Sequence, residues 1–237
     1  MTRYYFLSTM PLMLVYLASG CSSSDDSTPA PIALDTSVIR AYQQGDTFNA
    51  SYTATEIATG QTLSGTVTLT IGDTVQNPYG INCRVVTASG TLTGSAGTVS
   101  VSDQSLFYQD TNSSLYECGE FDKILGRYVF LTDTATTPDG LYLDEQSPMQ
   151  VGNITSGVAT YDDGSWEDCT KTVQAIENVS TPLGLYESYK VKEVCSHSNG
   201  STSDITLWVV PSIFTMKEID IADDLSVEIL ITSYTLI

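Results

Sequence analysis

Apolar and polar residues alternate with a period of two along most of the chain. Val67, Leu69 and Ile71, for example, are separated by threonines, as expected of a strand with one face on a core. Turn residues separate such stretches roughly every eight to fifteen positions, a spacing typical of antiparallel hairpins. Strands are predicted over residues 47–57, 63–71, 81–88, 97–108, 127–132, 141–144, 154–161, 165–173, 185–194, 205–210, 214–221 and 225–234. A helix is predicted only over 36–44, with Asp35 as its N-cap.

These elements predict an all-β fold, an antiparallel meander of about a dozen strands. The strands could form a curved sheet, a half-barrel or a sandwich. All-β domains often reach this length as one unit, so residues 35–237 are expected to form one β domain, alternatively two similar halves over about 35–145 and 146–237.

A weak internal repeat at an offset of 104 residues supports the two halves. Without gaps, residues 60–84 align with 164–188, and each copy carries a turn glycine followed by a Pro-x-Gly turn. Identical pairs are Gly60/Gly164, Thr66/Thr170, Thr68/Thr172, Val75/Val179, Pro78/Pro182 and Gly80/Gly184. The shared order of turn, strand, turn and strand suggests an internal duplication.

The first residues have the layout of an export signal. Arg3 supplies a positive charge, residues 6–17 are apolar, and small residues precede Cys21. A membrane-spanning helix needs about 20 apolar residues, whereas this stretch is shorter and contains Pro11. Leu17-Ala-Ser-Gly-Cys21 resembles the lipobox of bacterial lipoproteins. The resemblance implies lipidation of Cys21; the alternative is an ordinary secreted protein in which Cys21 has no role.

The residues around Cys21 fit a membrane anchor. Residues 1–20 would be the signal peptide, and residues 21–34 the lipidated cysteine and a flexible tether rich in Ser, Asp and Pro. By the same resemblance, Ser22 after the cysteine implies sorting to the outer membrane, with the domain facing the periplasm or the cell surface. Acyl chains contribute about 0.8 kcal/mol per buried CH₂, so the expected membrane contact needs no amphipathic helix.

The other four cysteines predict disulfides, because an exported protein folds in an oxidising compartment. Four cysteines allow three connectivities. The bonds Cys83–Cys118 and Cys169–Cys195 are favoured, because each would lie within one half of the repeat. Zinc is the alternative, but no CxxC spacing occurs and His197 is the only histidine; no metal site and no cofactor are predicted.

The composition bears on partners. With 28 acidic and 9 basic residues and a net charge of −19, the chain lacks the basic patch that nucleic acid binding requires. The tyrosines, Trp166 and Trp208 fall on presumed strands, where aromatic side chains more often form core or cross-strand pairs than ligand platforms.

Candidate chemistry is sparse. His197 is interpreted as an exposed loop residue, and no Gly-x-Ser-x-Gly motif accompanies it. Hydrolysis by a carboxylate pair stays open, because 28 acidic residues allow many pairs. Residues 162–168 and 220–224 cluster oxygen ligands suited to Ca²⁺, with a hairpin turn of solvated acids as the alternative. No catalytic residue is predicted, and the protein is interpreted as a non-enzyme.

Residues 150–220 resemble a pattern of uncharacterised bacterial envelope proteins related in build to the lipoprotein-localisation carriers. Its pieces are Gly152, Asp163-Gly164, the segment Val173–Val179, Pro182-Leu183-Gly184, Tyr186, Tyr189 and Trp208–Pro211. The resemblance implies a curved antiparallel sheet around a hydrophobic cavity. The expected function is a binding or interaction module with a lipid, glycan or envelope-protein partner. A carrier of a lipid or other hydrophobic ligand is the alternative, followed by a structural surface protein or a hydrolase.

Overall fold

The structure, a computed structural model, describes residues 30–95 and 97–237. These residues form thirteen strands and one short 3₁₀ turn, Pro138–Gly140. The strands are β1 Thr47–Glu56, β2 Thr62–Gln76, β3 Asn82–Gly94, β4 Gly97–Gln109, β5 Leu115–Asp122, β6 Arg127–Phe130, β7 Tyr142–Glu145, β8 Ile154–Thr160, β9 Trp166–Thr181, β10 Gly184–His197, β11 Thr202–Val210, β12 Phe214–Ala222 and β13 Leu225–Thr235. The all-β prediction is therefore confirmed.

All thirteen strands belong to one antiparallel sheet. Its order is β6-β5-β4-β3-β2-β1-β13-β12-β11-β10-β9-β8, and β7 pairs with β5 beside β6. Chain neighbours pair within β1–β6 and within β8–β13, as in a meander, and β1 also pairs with β13. The two end strands meet where Leu131, just after β6, forms an isolated antiparallel bridge with Tyr161, just after β8. The sheet therefore curves until its ends touch, and one face is enclosed.

Each of the twelve predicted strands overlaps an observed one, and β5 is the strand that the pattern missed. Its sequence does not alternate, because Cys118 and Gly119 are both buried while Glu117 and Glu120 are partly so. A register shift opposite Leu106 and Phe107 of β4 breaks the period of two at this point. Periodicity alone could not identify such a strand.

Twelve of the thirteen strands fall into two sets of six in the same order, and β7 has no counterpart. Strands β1 to β6 correspond to β8 to β13, and matched strands begin between 98 and 107 residues apart. The pairing of β1 with β13 has its counterpart in the bridge between the ends of β6 and β8. This is the arrangement expected of a duplicated six-stranded unit, in agreement with the weak repeat in the sequence.

The helix predicted over residues 36–44 is wrong. This segment is irregular, because its backbone groups bond to distant partners instead of to each other. Arg40 N–H donates to the carbonyl of Pro211 (2.8 Å), Ile39 N–H to Ser147 Oγ (3.2 Å) and Tyr42 N–H to Gln109 Oε1 (3.1 Å). Tertiary contacts thus override a local helical signal.

Residues 30–46 lie across one end of the curved sheet. Their partners on β10, β4 and the β11–β12 turn all belong to the same end. Buried Asp46 fixes the segment: it pairs with Arg40 and accepts the backbone N–H groups of Gln43 and Ile237. We call this the covered end. The opposite end, where the β3–β4, β5–β6, β8–β9 and β12–β13 hairpins turn, is the mouth.

Ile39 ties this segment to the core and gives a first test. It is 1% exposed and packs on Met149, Val173, Tyr189, Val191, Leu207 and Val209. We expect Ile39→Val to lower the free energy of unfolding by about 1 kcal/mol, because it removes one buried methylene. The same change at Ile154, which is 63% exposed, should cost under about 0.5 kcal/mol. Urea unfolding measures both; equal effects would contradict the packing of residues 30–46.

The predicted signal peptide, Cys21 and the tether as far as residue 29 lie outside the described residues. Within residues 30–95 and 97–237, no helix is long and apolar enough to cross a bilayer.

Candidate functional site

On the enclosed face of the sheet, the described residues line two cavities. The one towards the mouth has a volume of about 630 Å³, and the one towards the covered end about 610 Å³. Phe107 of β4 and Glu218 of β12 line both, so the cavities adjoin at these two side chains. Tyr42 from the N-terminal segment borders the inner cavity. The two cavities are therefore neighbours in the interior, one towards the mouth and one beneath residues 30–46.

The cavity at the mouth is strongly acidic. Its lining contains eight carboxylates and a single lysine, Lys123: Asp103, Glu117, Glu120, Asp122, Asp163, Glu167, Glu218 and Asp220. Clefts lined by one sign of charge focus the field and raise the local concentration of counterions. The mouth is thus suited to a cation rather than an anion.

Glu218 and Asp220 are neighbours on this acidic wall. They are two residues apart on β12 and therefore face the same side of the sheet. Burial, reinforced by repulsion from Asp220, raises the pKa of Glu218 to about 7. Burial also raises the pKa of Asp220, and burial together with both carboxylates raises the pKa of Tyr52 to about 12. Burial and like charge therefore outweigh the attraction of Lys171, which lowers the pKa of Glu218.

The pKa of Glu218 gives a second test, on stability. In the unfolded chain Glu218 ionises near pH 4.5, whereas in the folded protein it retains its proton up to about pH 7. The free energy of unfolding should therefore fall as the pH rises from about 4.5 to about 7. We expect Glu218→Gln to stabilise the protein by about 2 kcal/mol at pH 8, after allowance for water in the cavity, and by little at pH 4. Urea unfolding at both pH values measures this; a loss of stability at pH 8 would contradict it.

Lys171 of β9 is the buried cation of the inner cavity. It forms ion pairs with Asp144 of β7 and, at 3.3 Å, with Glu193 of β10. Burial alone would lower the pKa of Lys171, but the surrounding carboxylates raise it well above its usual range. Glu145 lies in the same group, and burial followed by repulsion from Asp144 raises its pKa to about 7. Three carboxyl groups thus share one ammonium.

A further network connects opposite ends of the sheet. The Tyr161 hydroxyl lies 2.7 Å from Glu117 Oε1 and 3.0 Å from Glu167 Oε1. The hydroxyl carries one proton, so the two carboxyl groups compete for a single donor. Burial, followed by repulsion from Glu167, raises the pKa of Glu117 well above its usual range. The network thus holds two carboxyl groups close together beside the mouth.

The interpretation of His197 as an exposed loop residue is wrong. It is the last residue of β10, is 6% exposed and pairs with Glu167 across the β9–β10 ladder. Its Nε2 lies 3.2 Å from Ser203 Oγ, and its Nδ1 lies 3.6 Å from Glu167 Oε2. Ser, His and Glu are thus adjacent, as in a hydrolase triad. Ser203, however, is 3% exposed and borders neither cavity, so this arrangement offers a substrate no access to the hydroxyl.

The acidic segments considered for calcium form hairpin turns. Asp163 accepts bonds from the backbone and hydroxyl of Ser165, and Asp162 pairs with Arg127 at 2.8 Å. In the part of the chain that the structure describes, the one group of three candidate ligands within metal-binding distance is Cys169, Glu193 and Cys195. Its two cysteines are bonded to each other, so they are not free to act as ligands.

Both favoured disulfides are present. Cys83–Cys118 joins β3 to β5, and Cys169–Cys195 joins a directly opposed pair on β9 and β10. The second bond packs with Tyr161 and Tyr142. Trp208 lies half-buried on β11, where its indole N–H donates to Glu177 and its ring lies between Lys190 and Lys217; it does not border either cavity.

The sequence analysis missed the groups that define the interior, namely Glu218, Asp220, Lys171, Glu193 and Glu117. A signal was present for two of them. Lys171 shares the inward phase of Cys169 and Val173, and Glu218 that of Met216. A charged residue in the apolar phase of a strand indicates an interior that is not a simple core.

No protein family and no curated protein matches the chain. Two solved structures are similar in backbone. One, from Bacteroides fragilis, is described as an exported protein with a YmcC-like fold; it is 13% identical, with a TM-score of 0.45 over 84% of this chain and 99% of its own. The other, from Parabacteroides distasonis, is described as a lipoprotein; it is 10% identical, with a TM-score of 0.40 over 84% and 98%.

Proposed function

We propose that this chain is an exported lipoprotein, anchored in the outer membrane through Cys21, whose β domain is a non-enzymatic binding module for a small ligand. The observation that carries the binding role is the interior space of two adjoining cavities, about 630 and 610 Å³. Ligand sites are typically clefts of this size with a few placed polar groups.

The first described residues and the mouth lie at opposite ends of the domain. Residues 30–46 cross the covered end, so the chain enters the domain there. An acylated Cys21 would therefore hold the covered end nearer the membrane, and the mouth would face away from it. The ligand would then enter from the aqueous side.

The lining favours a polar, charged ligand over a lipid tail. A hydrophobic cargo in this space would bury ionisable groups such as Glu218 and Asp220 without partners, at a cost of several kcal/mol. We assign no reaction to the domain, because the adjacent Ser203 and His197 are both buried away from the cavities.

Native mass spectrometry of the full chain, expressed with its own signal and extracted from membranes in detergent, tests this proposal. We expect a chain that begins at Cys21, carries acyl groups, contains two disulfides and retains a noncovalent adduct of small mass. Cys21→Ala is the control and should carry no acyl group. A free thiol at Cys21 in processed protein would contradict the anchor. An acylated protein that never carries an adduct, whatever small molecules are added, would contradict the binding role.

A further inference from the structure

Two deeply placed carboxyl groups in the interior have no partner of their own. Glu218 makes no hydrogen bond or ion pair with any of residues 30–95 and 97–237. Asp220 has a carboxylate oxygen, Oδ1, that is fully enclosed and accepts no hydrogen bond from those residues. Both face the cavity at the mouth, and Glu218 also faces the inner one. An unsatisfied buried acceptor is destabilising, so these groups favour the uptake of a hydrogen-bond donor.

Resting on the proposed binding role, we infer that the ligand is a protonated organic amine with an apolar chain, its ammonium group held by Glu218 and Asp220. An ammonium offers three hydrogen-bond donors and a positive charge, which the two carboxyl groups lack. The rings of Phe107 and Tyr52 line the same space and suit a cation through their faces.

The inner cavity accounts for the apolar chain. Beyond Phe107 and Glu218, its wall includes the aliphatic side chains of Leu69, Ile71, Val86, Leu207 and Ile229. An amine bound at Glu218 can extend its chain into this space and bury it against these side chains. The inner wall also carries the carboxyl groups that surround Lys171, so the two cavities together suit an amphiphilic cation.

A metal ion fits the interior less well. Calcium takes six to eight oxygen ligands at one point. Among the described residues, however, no three carboxylates bring oxygens within metal-binding distance of one another. The carboxyl groups are spread over a wall of eight acidic side chains. That distribution attracts a cation over a distance and suits an extended organic cation.

Isothermal titration calorimetry on the acylated full chain in detergent, at pH 8 and 0.1 M salt, tests the inference with three probes. These are 1,8-diaminooctane, its neutral analogue 1,8-octanediol, and calcium chloride. We expect the diamine to bind, the diol not to bind, and calcium to leave the affinity for the diamine within about twofold. The double variant Glu218→Gln, Asp220→Asn should weaken diamine binding at least tenfold. Asp168→Asn, which neutralises an exposed carboxylate on the outer face of β9, should change it less than twofold.

The outcomes separate the ligand class from the binding role. Equal binding of the diol and the diamine would overturn the amine assignment and leave the binding role intact. The amine assignment would also be overturned, and the binding role left intact, if the native adduct is an uncharged molecule and the diamine does not bind. Calcium binding that the double variant abolishes would identify a metal site instead. Diamine binding that Asp168→Asn weakens as much as the double variant does would show surface attraction only. If the protein carries no adduct and also does not bind the diamine, both proposals are overturned.

Discussion

Lys171→Met should lower the free energy of unfolding by about 3–5 kcal/mol at pH 8. The ammonium of Lys171 is buried and compensates Asp144 and Glu193 directly. Methionine fills a similar volume but leaves both carboxylates without a cation, and breaking a buried ion pair by removing one partner costs several kcal/mol. Glu145 also loses an attraction that lowers its pKa. Urea unfolding of the variant and the parent at pH 8 and pH 4 measures the effect.

The dependence on pH identifies the cause. Without Lys171 the folded-state pKa values of its carboxyl partners rise, so the loss is present at pH 8 and decreases as the pH falls and the carboxylates become protonated. At pH 4 we expect less than half the loss seen at pH 8. Lys192→Met is the matched control, because Lys192 is 29% exposed and its partner Asp204 is 49% exposed. Such a solvated pair contributes at most about 1 kcal/mol. A loss at Lys171 that is the same at both pH values would indicate a packing defect instead.

Most of the fold could be predicted because alternation and turn residues act locally. The Pro-x-Gly turns at Pro78 and Pro182 do end and begin strands, and the cysteine pairs follow from the halves that these turns define. Local signals failed where partners are remote in sequence. Residues 36–44 bond to residues 109, 147 and 211, and no window around the segment contains those partners.

The interior could not be predicted for a related reason. A carboxylate is solvated or enclosed according to the face of the sheet on which it lies and the strands that pack opposite that face. Glu117 and Glu167 are 50 positions apart, yet both approach the Tyr161 hydroxyl, because the two ends of the sheet meet at the Leu131–Tyr161 bridge. That contact is a property of the whole sheet rather than of any segment. An acidic composition alone suggested only a solvated surface.

Removing either disulfide should lower the free energy of unfolding by about 3–4 kcal/mol. The bonds close loops of 35 and 26 residues, and loop-closure entropy in the unfolded chain depends only weakly on such a difference. The sites differ in the folded state. Cys169 and Cys195 sit opposite each other in a long hairpin, whereas Cys83 and Cys118 connect β3 and β5 on either side of β4.

Two double variants test this, one with Cys83→Ala and Cys118→Ala, the other with Cys169→Ala and Cys195→Ala. We therefore expect both to lose similar equilibrium stability when measured by urea unfolding without reductant. Reductant should destabilise the parent by more than either double variant, and should leave the variant that lacks all four cysteines unchanged. The residual hairpin should still pair β9 with β10 in the second variant, because its ladder continues on both sides of residue 195. A loss below about 1 kcal/mol in either double variant would show that the bond in question does not constrain the unfolded chain.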